Sequence, residues 1–281
     1  MPIYEQTYRR YEARMPLRRW RSWPITREAL RLILAKRAFL GLLVLAWLPF
    51  LVRVIQVYIV TRFPEAARLV PVDGRLFGDF LNGQLGFALF VSVFGGSGLI
   101  ANDLRTGAIL AYLSRPLTRR DYVLGKLGVL LTLNLAVTLA PGLFLYATAV
   151  GLAPDHFLKW SLAWIAPAVI LHACLLSLVM SLVVLAASSL SRSARVAGLA
   201  FVGLYMGLEI VRAVVRAVYD RPESTLLSLS GNLRSLGNAL FGITERALQV
   251  PWAYPALVLA ALGLGCLAIL RSRVRAVEIV T

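Results

Sequence analysis

A chain of 281 residues that is 59% hydrophobic and only 16% charged, with a mean hydropathy of +0.73, is too apolar for an ordinary soluble domain, in which about 25% of residues are charged. Its 30 basic and 14 acidic residues give a formal charge of +16. The basic residues flank long apolar runs, so their partners are anionic lipid headgroups and not nucleic acid; the two cysteines, Cys174 and Cys266, lie inside such runs and exclude a disulfide framework.

Residues 1–23 are basic and aromatic, with Tyr4, Tyr8, Tyr11, Trp20 and Trp23 set among arginines. Pro24 precedes a predicted helix start at Thr26, with Glu28 in the first turn, where a carboxylate suits the helix dipole. Ile25, Ala29, Leu32 and Ile33 share a face. Residues 25–36 therefore read as an amphipathic helix lying in the inner membrane interface.

Six apolar runs follow, at 38–60, 80–100, 122–150, 161–190, 197–219 and 251–270. Each is long enough to cross a hydrocarbon core of about 30 Å as a helix, the form that satisfies every backbone polar group within one segment. Pro141 predicts a kink in the third run. The third and fourth are long enough to tilt or to extend past the bilayer. The expected fold is an all-α integral membrane protein in two parts, a basic tail with an interfacial helix at 1–37 and a six-span domain at 38–281. With the N-terminus in the cytoplasm, 20 of the 30 basic residues fall on the cytoplasmic side and 7 in the outer connections. Both termini are therefore expected inside. Such a chain belongs in a plasma membrane, here a bacterial inner membrane.

The connection between the second and third runs carries the densest signal. Asp103 precedes Gly107, which permits a turn. Ala108 to Leu113 is a short apolar run of about two helical turns, and Pro116 stops it. Thr118 is placed to cap the next helix with Asp121 three residues on, a capping-box arrangement that uses Asp for Glu. Arg115, Arg119 and Arg120 stud the segment, and Gly125-Lys126 opens the third run.

This segment resembles the permeases of type-2 ATP-binding-cassette (ABC) transporters. Their pattern is an acidic residue four before a glycine, a small apolar helix, Leu-x-x-Pro, a basic residue and Gly-Lys. Here those positions are Asp103, Gly107, Leu113, Pro116, Arg119, Gly125 and Lys126. The sequence departs from the pattern in having Asp103 for the usual glutamate and Gly107-Ala108-Ile109 for Gly-Thr-Leu. The resemblance implies a coupling helix between spans two and three that sits in a cleft of a separate ATPase subunit. Ile109, Leu110 and Leu113 would fill the cleft, with Arg115, Arg119 and Arg120 at its rim. It also implies two ATPase copies, a second permease copy or homologue, and export as the default direction. ATP and magnesium would belong to the partner, with no cofactor or metal in this chain. No phosphate-loop motif is present, because Gly125-Lys126 is followed by Leu127. The alternatives are a permease that transmits force without transport, a membrane-embedded enzyme and an ion-coupled carrier. Neither H-E-x-x-H, paired cysteines nor a serine elbow occurs.

Several ionisable residues fall inside the spans. Glu209, Arg212 and Arg216 share a face of the fifth. Glu209 lies ~21 Å from Arg195 and Arg53 ~22 Å from Ala38, at 1.5 Å per residue. The matching depths suggest an ion pair between Arg53 and Glu209 that locks spans one and five; the alternative is a polar patch in the transport pathway. His172, in the fourth span, is expected to make an interhelical hydrogen bond. The glycines of the second span and the Gly203-x-x-x-Gly207 sequence of the fifth are expected at close helix contacts, within a subunit or between two. Before the sixth run, Leu226, Leu229, Leu233, Leu236, Leu240 and Ile243 form an apolar helical stripe. They predict one or two short helices at the outer leaflet.

Overall fold

The computed structural model describes residues 22–63, 72–108, 118–153, 162–219, 221–243 and 250–273, and every regular element among them is helical. A short helix, α1 (Trp23–Leu34), precedes six helices that are long and apolar enough to cross a membrane. These are span one (Arg37–Arg62), span two (Gly74–Thr106), span three (Arg119–Leu152), span four (Ile165–Leu190), span five (Ala194–Tyr219) and span six (Ala253–Arg273). A 3₁₀ turn (Pro222–Leu227) and a second short helix, α2 (Leu229–Leu240), lie between spans five and six.

Span two starts six residues before the sequence boundary. Asp73 caps it by accepting hydrogen bonds from the backbone N–H groups of Arg75 and Leu76 at 2.9 and 3.4 Å. Its first turns carry Arg75 and Asp79, an ion pair at 3.8 Å, so a reading based on hydropathy leaves them out. At 33 residues it is about 50 Å long. Span three is divided, Arg119–Val137 and Leu139–Leu152, with Thr138 between. The break lies three residues before the kink expected at Pro141. Proline has no N–H to offer the carbonyl four residues back, and its ring crowds that carbonyl, which belongs to Val137. Thr138 turns its hydroxyl to the Asn134 carbonyl at 2.8 Å.

Spans two and four form the centre. In their most apolar stretches 61% and 72% of residues are buried, against 11% in span one and 17% in span five. Gly96 of span two makes the contact possible: a Cβ there would lie 2.8 Å from Val184 of span four and 3.1 Å from Leu130 of span three, and one on Gly95 3.1 Å from Leu133 of span three. Not every glycine serves this purpose. A Cβ at Gly83, Gly86, Gly203 or Gly207 would meet nothing within 4 Å, so the G-x-x-x-G of span five makes no close contact among the described residues. Buried polar groups link the spans. Asn134 donates to Ser92 at 3.0 Å and to Ser181 at 3.3 Å, and Gln84 donates to the Ala46 carbonyl at 3.1 Å. In an apolar surround such groups need internal partners.

The predicted stripe before span six is realised in α2. Ser228 caps it, accepting from Gly231 N–H at 3.0 Å, and Gly242 follows it with φ of 64°. Leu229, Leu233 and Leu236 pack into the core around spans two and four, and Leu240 and Ile243 into a second cluster with Phe77 and Phe80. The stripe thus faces the protein's own spans.

Candidate functional site

The Asp103 end of span two is built from three elements. Span two closes at Thr106, and Gly107 follows in the left-handed region with φ of 69°, a conformation that costs a glycine little. Span three opens with the expected capping box. Asp121 N–H donates to the Thr118 hydroxyl at 3.2 Å, and Thr118 N–H donates to Asp121 Oδ2 at 3.0 Å. Between these two ends Lys126 Nζ lies 2.8 Å from Asp103 Oδ2, with the lysine side chain 6% and the aspartate 16% exposed. The Tyr122 hydroxyl donates to the same oxygen at 2.8 Å, and the Lys126 ammonium sits 5.5 Å from the centre of the Tyr122 ring. The two charged residues that the sequence places at either side of the connecting segment therefore close on each other at its roots.

Two further contacts fix this corner. The α1 helix begins at Trp23, with Pro24 in its first turn, not at Thr26. Thr26 is buried, and its hydroxyl donates to the Gly125 carbonyl at 2.9 Å. Ile25 lies so near Gly125 that a Cβ there would come within 2.9 Å of it. Ile25 and Ile33 of the expected face are buried, whereas Leu32 is exposed. From the other side Ser188 of span four enters the backbone ladder of span two. Its hydroxyl donates to the Ser97 carbonyl at 2.7 Å and accepts from the N–H groups of Ile100 and Ala101 at 3.1 and 3.0 Å. A side chain inserted into an i to i−4 ladder gives a helix a place to bend.

The family model for ABC-2 family transporter proteins matches residues 23–221. The chain belongs to this family. The match starts at the first residue of α1 and takes in spans one to five, including both partners of the Asp103–Lys126 pair. A search of curated proteins finds no match to the chain. As an ABC-2 family member with six apolar helices, the protein is a multi-pass membrane permease of an ABC transporter, a family that works with an ABC ATPase.

Of the permease residues assigned to coupling, Asp103 and Lys126 come together, Gly107 ends span two without joining them, and Arg119 and Arg120 are exposed on the first turn of span three. Ile109, Leu110, Leu113, Arg115 and Pro116 lie outside the described residues. The roles of Tyr122, Thr26 and Ser188 escaped the sequence reading. Opposite charges near facing ends of consecutive spans are a usable signal for the Asp103–Lys126 pair that Tyr122 joins; nothing in the sequence marks Ser188.

The intramembrane residues are arranged differently from expectation. Arg53 and Glu209 do not pair. Arg53 donates to Gln56 on its own helix at 2.8 Å. Glu209 pairs with Arg212, one turn on, at 2.9 Å, and accepts from Ser230 of α2. Matching depth puts two residues at one level but leaves open which way each faces. Span one packs on spans two and three, and span five on spans two and four. His172 makes no interhelical hydrogen bond: it is fully buried, and neither ring nitrogen has a partner among the described residues. Gly237 of α2 lies against the ring, and Phe241 meets it edge-on at 6.1 Å.

Proposed function

We propose that this permease docks a separate ATPase on the segment 107–120 and that the Asp103–Lys126 pair passes the movement of that segment to spans two and three together. The observation that carries the reading is the ion pair at the roots of the segment, between buried Lys126 and largely covered Asp103. Two flexible roots would absorb a push locally. Roots tied by a largely desolvated charge pair, a shared tyrosine and α1 move as one piece, and the Ser188 insertion gives span two a place to bend one turn above them. The same reading puts the Asp103 end and both termini in the cytoplasm, in keeping with the 20-to-7 distribution of basic residues. Residues 1–37 then act as tail and interfacial helix and 38–281 as the pathway-forming domain. The complex contains two permeases, two ATPases and, in the ATPases, the ATP and magnesium, and it works in the direction of export. The open glycine face at Gly203 and Gly207 on span five suits the contact between permeases.

The test is copurification with the ATPase together with transport-linked hydrolysis. A buried anchor at an interface is worth about 2 kcal/mol or more, a rim charge less than about 1. Leu110→Asp should release or uncouple the ATPase in a correctly inserted protein, and Arg120→Ala should weaken association only modestly. If Leu110→Asp leaves association and coupling unchanged, the segment is not the coupling element. Cysteine labelling from outside that reaches Ser114 would reverse the orientation.

A further inference from the structure

At the Asp79 end of span two the structure holds a cavity of about 350 Å³ between span two, span five and α2, within the ~300–1,000 Å³ range of ligand pockets. Three arginines line it, Arg212 and Arg216 from successive turns of span five and Arg234 from α2, together with Asp79, Asn82 and Asn238. Their charges are not all balanced. Arg212 is held by Glu209, and Asp79 faces Arg75. Arg216 and Arg234 have neither an ion pair nor a hydrogen bond among the described residues. Asn82 donates to the Asn238 side-chain oxygen at 3.3 Å, which leaves the Asn238 amide nitrogen without an acceptor among those residues.

We infer that this cavity binds a phosphate group, that of an anionic phospholipid headgroup. A guanidinium offers a planar fork of donors matched to two oxygens of a phosphate, and two such forks reach the cavity, one from span five and one from α2, neither in an ion pair among the described residues, while the one lining carboxylate among them, Asp79, faces Arg75. The level in the membrane selects the source. Asp79 is five residues from the start of span two, and Arg216 three from the end of span five. At 1.5 Å per residue both lie within about 8 Å of the span ends, where headgroup phosphates sit. From Gly83, on the cavity wall, an uncovered strip of Gly86, Phe90 and Phe94 continues along the same face of span two, where an acyl chain can lie. The inference rests on the permease reading for its outward orientation, but the binding itself needs no ATPase.

The experiment titrates detergent-purified permease with phosphatidylglycerol and, separately, with glycerol phosphate, and reads the tightest site by native mass spectrometry. Arg216→Gln with Arg234→Gln should weaken that site roughly tenfold per arginine, the loss of one charge-assisted hydrogen bond each. Arg271→Gln with Arg273→Gln, at the opposite end of span six, removes the same charge and should leave it unchanged. Gly83→Leu keeps every arginine; its Cβ meets nothing within 4 Å, so it fills the cavity without a backbone clash and should also abolish binding. Phosphatidylglycerol binding that follows these variants assigns a lipid, and glycerol phosphate binding that follows them assigns a soluble phosphate in the same site. No binding to wild type, or equal losses from the span-six control, overturns the inference. Loss of binding while the ATPase still copurifies separates this site from the coupling function.

Discussion

The two ends of span two each carry an aspartate, and the protein surrounds them in opposite ways. Asp103 is largely covered, with buried Lys126 and Tyr122 upon it, so the pair's two charges answer each other within the corner. Asp79 is exposed, paired loosely with Arg75 at 3.8 Å, beside a cavity in which arginines outnumber acids. A closed set of charges resists rearrangement, because opening it leaves an unpaired ion in a poor solvent; an open set invites a ligand to complete it. One helix of 33 residues thus joins an end built to keep its geometry to an end built to receive something. The helix between them is the most buried but one, so a displacement at the first end cannot be confined there.

The sharpest way to break this comparison is to open the closed end. Lys126→Met leaves Asp103 buried without its cation, and breaking a buried pair from one side costs about 3–5 kcal/mol. We expect a large fall in thermal stability of the detergent-solubilised permease. Adding Asp103→Asn removes the orphaned charge and should restore most of the loss. The opposite end should behave otherwise: Arg216→Gln leaves stability within about 0.5 kcal/mol, the usual range for a substitution away from packed or paired sites. Equal losses at the two ends, followed by thermal unfolding, would remove the distinction.

The second test concerns the packing that holds α2 over the open end. Gly237 lies on His172 so closely that a Cβ would come within 2.6 Å of the ring. His172 is fully buried, and neither nitrogen has a partner among the described residues, so the ring acts as a packing surface. Gly237→Ala should cost about 1–3 kcal/mol through overpacking. His172→Ala in the same chain removes the obstructing ring, so the two changes together should cost less than the sum of each alone by at least about 0.5 kcal/mol. Strict additivity would show that α2 is held elsewhere, for example by Asn82 of span two, whose amide donates to the Asn238 side-chain oxygen at 3.3 Å.

These residues also show what could be read from sequence. The six spans were legible because lipid imposes a length and a composition on any crossing helix, and Thr118, Asp121 and Gly107 were legible because caps are local chemistry. The stripe Leu229, Leu233, Leu236 announced a helix, but periodicity does not say what the face meets, and it met spans two and four. Partners of buried polar groups were the least legible. Ser188 finds two N–H groups about 90 residues away in sequence, and only the packing of spans two and four around Gly96 brings them within reach. The Asp103–Lys126 pair was within reach of the sequence, since the two lie near facing ends of neighbouring spans. Arg53 and Glu209 had the same kind of evidence in matched depth, but not adjacency in the chain.

That last contrast gives the smallest expected effect and a clean measurement. Arg53 is satisfied by Gln56, and Glu209 by Arg212 and Ser230, each within its own neighbourhood. If these are the operative partners, Arg53→Gln removes a single partly exposed hydrogen bond and should cost about 1 kcal/mol or less. Glu209→Gln should cost more, because it strands Arg212 at the wall of the cavity. The double variant should then equal the sum of the two within about 0.3–0.5 kcal/mol, as distant and independent sites do. A coupling energy well beyond that, measured by thermal or denaturant unfolding, would bring span one against span five and would require Glu209 to leave Ser230. The open end would then lose its anchor on α2, and the cavity its wall. Additivity keeps both ends of span two as the structure has them: one closed on itself, and one with Arg216 and Arg234 still to be answered.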